Sequence, residues 1–333
     1  MNSVHPEPVE GWRLWASTGS ARTEGGQIRK LFTDYSLASV TNNNKRDKMG
    51  TEKICLVTGA SRGAGKGIAL ALARSGATVI ITGRTKQEGE APLPGTIYQT
   101  AKEIDEAGGR GVAVAVDHSN DADVRALFDT IKKDFGRLDV VVNNATTIHD
   151  QLIQPGGFWT KSLDLVNILD VGLRSAYIVS YYAAQMMVEQ KSGVIAFTSS
   201  FGSSCYMHGP AYGAQKVGVD KFAKDMGVDL RDHNVTAVSL WMGPLRTERT
   251  EKVWEENPEQ YKDFMPVAES PQLTGMVVNA IHDDPQRMAL SGKVLVVAEQ
   301  ADEYGILDVD GNKKPSYSDM LGAPVQAHPA IVE

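Results

Sequence analysis

The sequence lacks the features of secreted and membrane-spanning proteins. Its 333 residues contain only two cysteines, Cys55 and Cys205, and two thiols so far apart in the chain predict neither a disulfide framework nor a zinc site. No run approaches the roughly 18 unbroken apolar residues that a membrane helix needs, and the N-terminus has no apolar core typical of a signal peptide. We therefore expect a cytoplasmic protein with no membrane partner.

Positive charge is also scarce. The chain has 34 Lys and Arg residues against 41 Asp and Glu, a formal net charge of -7, and no Lys/Arg run that would form a basic patch. Nucleic acid is therefore not an expected partner, whereas a small molecule is. The hydrophobic content of 42% is ordinary for a globular protein and sufficient for a large core.

Residues 1–50 differ from the rest of the chain. They are rich in Gly, Ser, Thr and Asn and show no sustained helical or strand period, which predicts a disordered extension. The segments "HPEPVEGW" and "ASTGSARTE" look like a translated intergenic repeat, which would make Met49 the natural start. A genuine flexible extension is the alternative.

From Lys53 onward, strand-like and helix-like segments alternate. Short apolar runs predict seven buried parallel strands, at 54–57, 79–81, 112–116, 140–142, 194–197, 235–240 and 294–297. Helix-length segments lie between them, for example 66–74, 121–135, 163–189 and 210–231. The alternation predicts the α/β class, as one Rossmann-type doubly wound parallel sheet of about seven strands with helices on both faces. We expect a single domain over 51–333, with ligands at the carboxyl ends of the strands.

The first predicted strand runs into a glycine-rich turn that opens a helix. In "LVTGASRGAGKG", Gly59, Gly63 and Gly65 let the backbone turn tightly and approach a phosphate without a Cβ in the way. Strand, turn and helix in this order place the pyrophosphate of a dinucleotide at the helix N-terminus. We therefore predict a dinucleotide-binding turn that also includes Ser61 and Arg62.

The end of the second predicted strand indicates which dinucleotide is bound. NAD-binding folds usually end this strand with an acid for the ribose 2′-hydroxyl, whereas "TVIITGR" ends in Gly83 and Arg84. Because no carboxylate repels a 2′-phosphate and both Arg62 and Arg84 could bind it, NADP(H) is predicted in preference to NAD(H). The alternative is that either arginine merely points into solvent.

Four motifs, taken in order, resemble those of one family. The motifs "TGASRGAG", "NNA" at 143–145, "TSS" at 198–200 and "YGAQK" at 212–216 are similar to those of the short-chain dehydrogenase/reductases. Stretches such as "VSLWMGPLRTE" and "YGILDVDG" resemble one animal subgroup of that family. The resemblance implies an NAD(P)-dependent oxidoreductase, assembled as a homodimer or homotetramer through its two long helices.

The motif "YGAQK" places Tyr212 four residues before Lys216, on one face of a predicted helix. The resemblance implies that Tyr212 gives a proton to a carbonyl oxygen, and that Lys216 favours the phenolate and binds the nicotinamide ribose. A second pair with the same spacing, Tyr98 and Lys102, has no serine-bearing strand end near it. That second pair is not expected to be catalytic.

Two serines compete for the third catalytic position. Ser199 and Ser200 both lie at the end of the fifth predicted strand, 13 and 12 residues before the tyrosine. The family's usual spacing favours Ser199, and Ser200 stays open as the alternative. In either case the hydroxyl would donate a hydrogen bond to the substrate oxygen, on which negative charge develops.

Further cofactor-binding positions follow from the resemblance. They are the residue beside the adenine, the loop that lines the cofactor cleft and the segment that receives the nicotinamide carboxamide: Asp117; Asn143, Asn144 and Ala145; and Gly243, Leu245 and Thr247. Tyr212 and Lys216 belong to the same set. The sequence departs from the family at Gly172, where many members carry an Asn that holds a water beside the lysine.

The substrate side is marked by apolar side chains. Residues 245–275 are predicted to form a flap over the substrate, and 299–333 a C-terminal extension. Side chains in the flap and near the tyrosine predict an apolar lining: Trp159, Tyr206, Met207, Trp254, Tyr261, Phe264 and Met265. They favour a lipophilic ketone, aldehyde or quinone as substrate, and the equal alternative is that they only pack the flap against the body.

The leading hypothesis is therefore an NADPH-dependent carbonyl reductase or, in reverse, an alcohol dehydrogenase. A cofactor-sensing binding protein on the same fold is the alternative, suggested by the glycine at position 172. Retention of Ser199, Tyr212 and Lys216 argues against a sensor, because a sensor has no need of a proton donor.

Overall fold

The computed structural model describes residues 53–332, apart from the side chain of Gln260. The predicted disordered extension and the proposed start at Met49 lie outside the described residues. From Lys53 the chain alternates strand and helix as the sequence predicts, and the α/β class is confirmed.

The sheet has seven parallel strands in the order β3-β2-β1-β4-β5-β6-β7. The strands are β1 (Ile54–Val57), β2 (Thr78–Gly83), β3 (Arg110–Ala115), β4 (Val140–Asn143), β5 (Gly193–Ser200), β6 (Val235–Met242) and β7 (Val294–Val296). The strand order reverses between β1 and β4, which pair directly. The carboxyl ends of these two strands therefore form the crevice in which such sheets bind their ligands.

Eleven α-helices connect and cover the strands of the described chain. They are α1 (Gly63–Ala73), α2 (Ile97–Glu106), α3 (Asp121–Asp134), α4 (Asn167–Leu169), α5 (Ser175–Gln190), α6 (Pro210–Asp229), α7 (Glu248–Glu256), α8 (Pro258–Tyr261), α9 (Pro271–Asp283), α10 (Val297–Glu303) and α11 (Ser318–Leu321). Helices α1 and α9 cover one face of the sheet, and α3, α5 and α6 cover the other. Each face buries its own apolar cluster, because alternate residues of a strand point to opposite sides.

Small residues bring α1 and α9 together. A Cβ added at Gly67 would lie 2.3 Å from the Cβ of Pro271, and one at Gly275 would lie 2.6 Å from the Cβ of Ala71. Larger side chains at either glycine would force the helices apart. This contact fixes α1, and with it the glycine-rich turn at its N-terminus.

The helix predicted over 163–189 is interrupted. A 3₁₀ turn at Leu163–Val166 leads into α4, a π-helical turn follows at Asp170–Arg174, and only α5 is regular. The break is centred on Gly172, whose φ of 140° is a conformation that side-chain-bearing residues rarely adopt. The pattern of apolar residues continues through the break, which is why the sequence predicted a single helix.

Both cysteines are unpaired thiols. None of the helices between residues 53 and 332 is both long and apolar enough to cross a membrane. Over the same residues, no cluster of His, Cys, Asp and Glu is arranged to hold a metal ion.

Candidate active site

The glycine-rich turn after β1 has the backbone that its sequence requires. Gly59 and Gly63 have φ values of 66° and 58°, in the left-handed region that favours glycine. A Cβ at Gly59 would lie 2.7 Å from the Cα of Ala145, whereas a Cβ at Gly63 would meet nothing within 4 Å. Gly59 is therefore needed for packing, and Gly63 leaves open space at the N-terminus of α1.

The "NNA" loop after β4 holds this turn in place. The Asn144 side-chain amide donates to the carbonyls of Thr58 and Gly59 at 2.9 and 3.1 Å, and the Thr58 hydroxyl accepts the backbone N–H of Asn144 and of Ala145. A Cβ at Gly65 would lie 2.5 Å from the same Asn144 amide nitrogen. Asn144 and Ala145 thus shape the crevice by clamping the turn.

Asn143, at the end of β4, is buried in the body of the domain. Its amide nitrogen donates to the Ser180 hydroxyl of α5 at 3.0 Å. Its amide oxygen is buried and accepts no hydrogen bond from the described residues. Its backbone carbonyl accepts the Thr198 hydroxyl at 3.3 Å, which ties β4 to β5 next to Ser199 and Ser200.

Arg62, which the sequence analysis proposes as a ligand of a 2′-phosphate, lies beside the end of β2. Its Nε donates to the carbonyl of Pro94 at 2.9 Å, and its Nη2 donates to the Gly95 carbonyl at 2.6 Å and to the Thr85 hydroxyl at 3.2 Å. Arg84 is exposed and lies near enough to contribute to the electrostatics of the next loop. Two guanidinium groups therefore lie at this strand end.

Asp117 lies in the loop after β3, next to this arginine-containing region. Its carboxylate accepts the backbone N–H and the hydroxyl of Ser119 at 3.0 and 2.7 Å, and the backbone N–H is the main reason that its pKa is lowered. The neighbouring His118 is buried, with its Nε2 2.7 Å from the Thr82 hydroxyl, and burial lowers its pKa to about 4. Ser61 is buried between β1 and α2, where its carbonyl accepts the Thr100 hydroxyl at 3.3 Å.

The residues of the crevice fit a dinucleotide cofactor. Gly63, the first residue of α1, has open space where a side chain would be, and the first turn of α1 contains no acid of its own. Backbone N–H groups at such a helix end are suited to phosphate. One of them, the N–H of Gly63, donates to the carboxylate of Glu248 at 2.9 Å, a contact that the sequence pattern did not indicate.

The central feature of the site is a hydrogen bond between Ser200 and Tyr212. The Ser200 Oγ lies 2.8 Å from the Tyr212 hydroxyl oxygen, and it also accepts the backbone N–H of Gly202 at 3.2 Å. Gly202 packs under the tyrosine ring, since an added Cβ would lie 2.5 Å from its Cε1. Burial raises the pKa of Tyr212, and the hydrogen bond with Ser200 opposes that rise.

The hydroxyl of Ser199 contacts Lys216 and not Tyr212. It is fully buried, its hydroxyl donates to the backbone carbonyl of Lys216 at 3.4 Å, and it lies beside the carboxylate of Asp220. Adjacent residues of a strand point to opposite faces, so only one of the two serines can face the tyrosine. The geometry therefore does not support the preference for Ser199 and brings its alternative, Ser200, to Tyr212.

Lys216 is buried one helical turn after the tyrosine. Its Nζ donates to the carbonyl of Thr198 at 3.2 Å and lies 5.4 Å from the centre of the Tyr212 ring. Burial lowers the pKa of Lys216 to about 8, and the negative charge of Asp220 opposes this shift. The structure thus brings Ser200, Tyr212 and Lys216 together at the carboxyl end of β5.

The second tyrosine–lysine pair is a surface feature. Tyr98 is 56% exposed on α2, and the exposed Lys102 pairs with Glu106 at 3.7 Å. Neither side chain shares the environment of Tyr212 and Lys216. This placement agrees with the expectation that Tyr98 and Lys102 are not catalytic.

An amide is present at the kink in spite of the missing asparagine. The side-chain amide of Gln215, directly before the buried lysine, donates to the carbonyl of Gly172 at 3.0 Å. The amide oxygen of Gln215 is buried and accepts no hydrogen bond from the described residues. The glutamine of "YGAQK" does not predict this contact, because the contact depends on how α6 packs against the break before α5.

The loop predicted to receive the nicotinamide follows β6. Gly243 packs on a buried acid, since an added Cβ would lie 2.6 Å from a carboxylate oxygen of Glu269. Leu245 pairs with Glu269 in a short parallel bridge. Thr247 directly precedes α7 and caps it, because its hydroxyl accepts the backbone N–H of Thr250 at 3.3 Å.

The side chains predicted to form an apolar lining lie in three different environments. Trp254 and Tyr261 are buried in a cluster of the flap itself, so the packing alternative holds for them. Phe264 and Met207 instead adjoin a second cluster beside Ser200, built from Phe201, Trp241, Val296 and Tyr317. Trp159 and Tyr206 are 77% and 84% exposed.

His208 is a further neighbour of the tyrosine that the sequence pattern did not single out. Its ring meets the ring of Tyr212 edge to face, with centroids 4.9 Å apart. Burial is the main cause that lowers its pKa to about 4, and the charges of Lys161 and Lys216 add to the effect. The imidazole beside the tyrosine is therefore neutral at neutral pH.

Comparison with known proteins shows which family this chain is similar to. The family model described as short chain dehydrogenase matches residues 53–258. The chain is 39% identical over 276 residues to dehydrogenase/reductase SDR family member 1 of Mus musculus, which covers 80% of this chain and 86% of the mouse protein. It is 30% identical over 250 residues to a 3-oxoacyl-(acyl-carrier-protein) reductase of Synechocystis sp., covering 74% and 96% of the two chains.

Comparison with solved structures shows that the fold is similar as well. A short chain dehydrogenase of Mycobacterium thermoresistibile superposes with a TM-score of 0.66 at 25% identity, covering 79% of this chain and 91% of the other. The sequence-based recognition of the family is confirmed. With its glycine-rich turn, its parallel sheet and the tyrosine and lysine of "YGAQK", the chain belongs to the short-chain dehydrogenase/reductase family of NAD(P)-dependent oxidoreductases.

Proposed function

We propose that the protein is an NADPH-dependent carbonyl reductase, reversible as an alcohol dehydrogenase, in which Tyr212 donates the proton and Ser200 holds the substrate oxygen. The observation that carries the proposal is the 2.8 Å hydrogen bond between Ser200 Oγ and the Tyr212 hydroxyl. It sets two O–H groups side by side at the end of β5, where one carbonyl oxygen can accept from both. Donors fixed in advance in this way stabilise the negative charge that develops on the oxygen.

Tyr212 and Lys216 control the proton transfer. When bound, the reduced nicotinamide supplies the hydride. Tyr212 has a pKa raised by burial, so it is a protonated phenol at neutral pH and carries the proton that the carbonyl oxygen needs. Lys216, with a pKa lowered to about 8, is still mostly an ammonium at neutral pH and stabilises the phenolate that forms.

The preference for NADPH is supported by the charges at the end of β2. Arg62 is held there by three hydrogen bonds, and Arg84 follows the strand directly. Gly83 ends the strand without a carboxylate that would repel a 2′-phosphate. In this proposal Arg62 and Arg84 bind that phosphate, the glycine-rich turn binds the pyrophosphate, and the 243–247 loop receives the carboxamide.

The proposed substrate is a lipophilic ketone, aldehyde or quinone. Support comes from the apolar cluster around Phe201, which directly follows the catalytic Ser200. Phe264 and Met207 are partly exposed and pack on this buried cluster from the flap and from the loop before α6, where a substrate could contact them. Alicyclic and aromatic ketones should therefore turn over faster than polar hydroxy-ketones of similar size.

The first test is turnover of a carbonyl panel, followed by the loss of NADPH absorbance, in the unmutated protein and in Tyr212→Phe, Ser200→Ala and Ser199→Ala. We expect Tyr212→Phe and Ser200→Ala to lower kcat by roughly 100-fold or more while NADPH still binds, because each removes a group that acts on the reacting oxygen. Ser199→Ala is the matched control and should stay within a few-fold of the unmutated protein.

Three outcomes would change the proposal. A large loss in Ser199→Ala with activity retained in Ser200→Ala would return the serine role to Ser199. Full activity in Tyr212→Phe would remove the tyrosine from the chemistry. Tight NADPH binding with no turnover of any carbonyl would favour a cofactor-sensing protein on this fold.

The proposed assembly is a homodimer or homotetramer in the cytoplasm. Helices α5 and α6 lie side by side, with the rings of Tyr177 and Phe222 5.6 Å apart. Tyr177, Tyr181 and Val217 are each about half exposed on these two helices, which supports burial of this face against a second copy. Light scattering coupled to size-exclusion chromatography would measure the number of copies directly.

A further inference from the structure

The C-terminal segment returns to the active site, although it lies beyond the part of the chain that the family model matches. After α10 the chain runs back across the carboxyl end of the sheet to the short helix α11. The hydroxyl of Ser204 donates to the carbonyls of Leu321 and Gly322 at 2.9 and 3.3 Å. This ties the segment to the loop that begins at the catalytic Ser200.

One side chain of this segment, Tyr317, contacts two parts of the site at once. Its ring is buried and meets the ring of Phe201, the residue after Ser200, edge to face with centroids 6.2 Å apart. Its Cε2 lies 3.4 Å from where a Cβ on Gly243 would be. Tyr317 therefore packs between the strand end that carries the serine and the residue that opens the predicted nicotinamide loop.

The segment is anchored independently of Tyr317. The carboxylate of Asp308 accepts the backbone N–H of Ser270, before α9, at 2.7 Å and pairs with the buried Lys314 at 3.5 Å. The hydroxyl of Tyr317 is buried and makes no hydrogen bond with the described residues. The ring is thus located by its packing and by the anchored backbone, and the hydroxyl contributes nothing to its placement.

We infer that Tyr317 is a positioning residue whose ring fixes the loop at 243–247 relative to the Ser200–Tyr212 pair. The inference rests on the proposed function, in which that loop holds the hydride donor and the pair holds the carbonyl oxygen. Hydride and proton transfer both depend on the relative placement of these two parts. Displacements of about 1 Å between reacting groups can cost on the order of 100-fold in rate.

The test compares Tyr317→Leu and Tyr317→Phe with the matched control Tyr304→Leu. Tyr304 belongs to the same C-terminal segment but points away from the site, with its hydroxyl donating to Asp284 at 2.8 Å. NADPH dissociation constants are measured by fluorescence titration, kcat with a ketone of the panel, and melting temperatures for all three variants.

We expect Tyr317→Leu to raise the NADPH dissociation constant by roughly fivefold and to lower kcat by roughly tenfold or more, because the loop loses the ring beneath Gly243. Tyr317→Phe keeps the ring and should match the unmutated protein in both. Tyr304→Leu should lower the melting temperature without changing either value. If Tyr317→Leu does not fold, Tyr317→Met fills most of the volume with a flexible chain and takes its place.

Binding and turnover that change no more in Tyr317→Leu than in Tyr304→Leu would overturn the inference. An equal loss in Tyr317→Phe would also overturn it, since it would assign the effect to the hydroxyl. Tyr212→Phe is run beside these variants. Full turnover in Tyr212→Phe would reject the proposed function, while the NADPH dissociation constants would still report on Tyr317.

Discussion

The carboxylate of Glu248 accepts the backbone N–H of Gly63 at 2.9 Å, so the first residue of the flap helix α7 touches the first residue of α1. The N-terminus of a helix carries a partial positive charge and attracts anions. Glu248 thus supplies a negative charge where the proposed function puts a phosphate of the dinucleotide. Its charge also acts on the neighbouring Arg62.

Glu248→Gln should tighten NADPH binding. The carboxylate competes for a phosphate-binding donor and repels the phosphates, and removing about 1 kcal/mol of such competition corresponds to about a fivefold lower dissociation constant. Fluorescence titration with NADPH measures the change. Glu251→Gln is the matched control, because it removes the same charge from α7 at an exposed site 4.0 Å from Arg246. Weaker binding in Glu248→Gln would show instead that the carboxylate holds the flap closed over the cofactor.

Gly202→Ala should reduce activity by displacing Tyr212, the proton donor of the proposed function. The added Cβ would lie 2.5 and 2.9 Å from two carbons of the Tyr212 ring, so the ring or the loop at Gly202 must shift and change the contact between Tyr212 and Ser200. We expect kcat to fall roughly tenfold or more, with a stability cost of about 1–3 kcal/mol. The control is Gly213→Ala, next to the tyrosine, where the nearest atom would be at an ordinary 3.4 Å. Unchanged kcat in Gly202→Ala would mean that the ring position is not critical.

The sequence predicted the sheet and the tyrosine–lysine pair because both depend on local patterns. Buried parallel strands are short apolar runs, and the glycine-rich turn has to follow the first of them. The spacing of Tyr212 and Lys216 fixes their shared helix face wherever the helix lies. These features can therefore be predicted without knowledge of the tertiary structure.

The remaining features depend on contacts between distant residues. Counting from the tyrosine could not decide between Ser199 and Ser200, because the path of the loop between β5 and α6 sets which serine faces it. Glu248 and Gly63 are 185 positions apart in the sequence, and no periodic pattern of residues predicts a contact over such a separation. Tyr317 lies in a segment with no regular pattern, so only the fold shows that it packs on Phe201.

Gly172→Asn, which would restore the family's usual residue, should destabilise the protein. With a φ of 140°, Gly172 has a backbone that side-chain-bearing residues rarely adopt, and an added Cβ would lie 3.0 Å from the Thr146 hydroxyl. We expect a loss of about 1–3 kcal/mol in the free energy of unfolding, measured by urea denaturation. Gly172→Ala shares the backbone strain, so a difference between the two variants reports the asparagine amide alone.

Gly136→Ala is the control for this experiment. Gly136 has a φ of 68°, and an added Cβ there would meet nothing within 4 Å. Gly136→Ala should therefore lower the free energy of unfolding by about 1 kcal/mol, the effect of a left-handed backbone alone. A loss in Gly172→Ala no larger than in Gly136→Ala would mean that the chain relaxes at the break and that asparagine is tolerated there.

Glu269→Gln should flatten the dependence of stability on pH. Burial raises the pKa of Glu269 from 4.5 to about 8, with the nearby Gly243 backbone N–H opposing the shift. Between these two pH values the folded protein keeps a proton that the unfolded chain has lost. The stabilisation is therefore complete below about pH 4.5 and is lost as the pH rises toward 8, by up to about 1.4 kcal/mol per pH unit.

Urea denaturation of Glu269→Gln and of the unmutated protein across this pH range measures the two slopes. The slopes are compared, because the amide changes the hydrogen bonding beside Gly243 at every pH. Glu259→Gln is the control, since its carboxylate lies on the flap surface with 92% of the side chain exposed, and it should leave the slope unchanged. Equal slopes in Glu269→Gln and in the unmutated protein would mean that this carboxyl is already ionised in the folded state. The loop at 243–247 would then rest on a buried charge, and the Lys314 ammonium, whose positive charge lowers the pKa of Glu269, would be the group that offsets it.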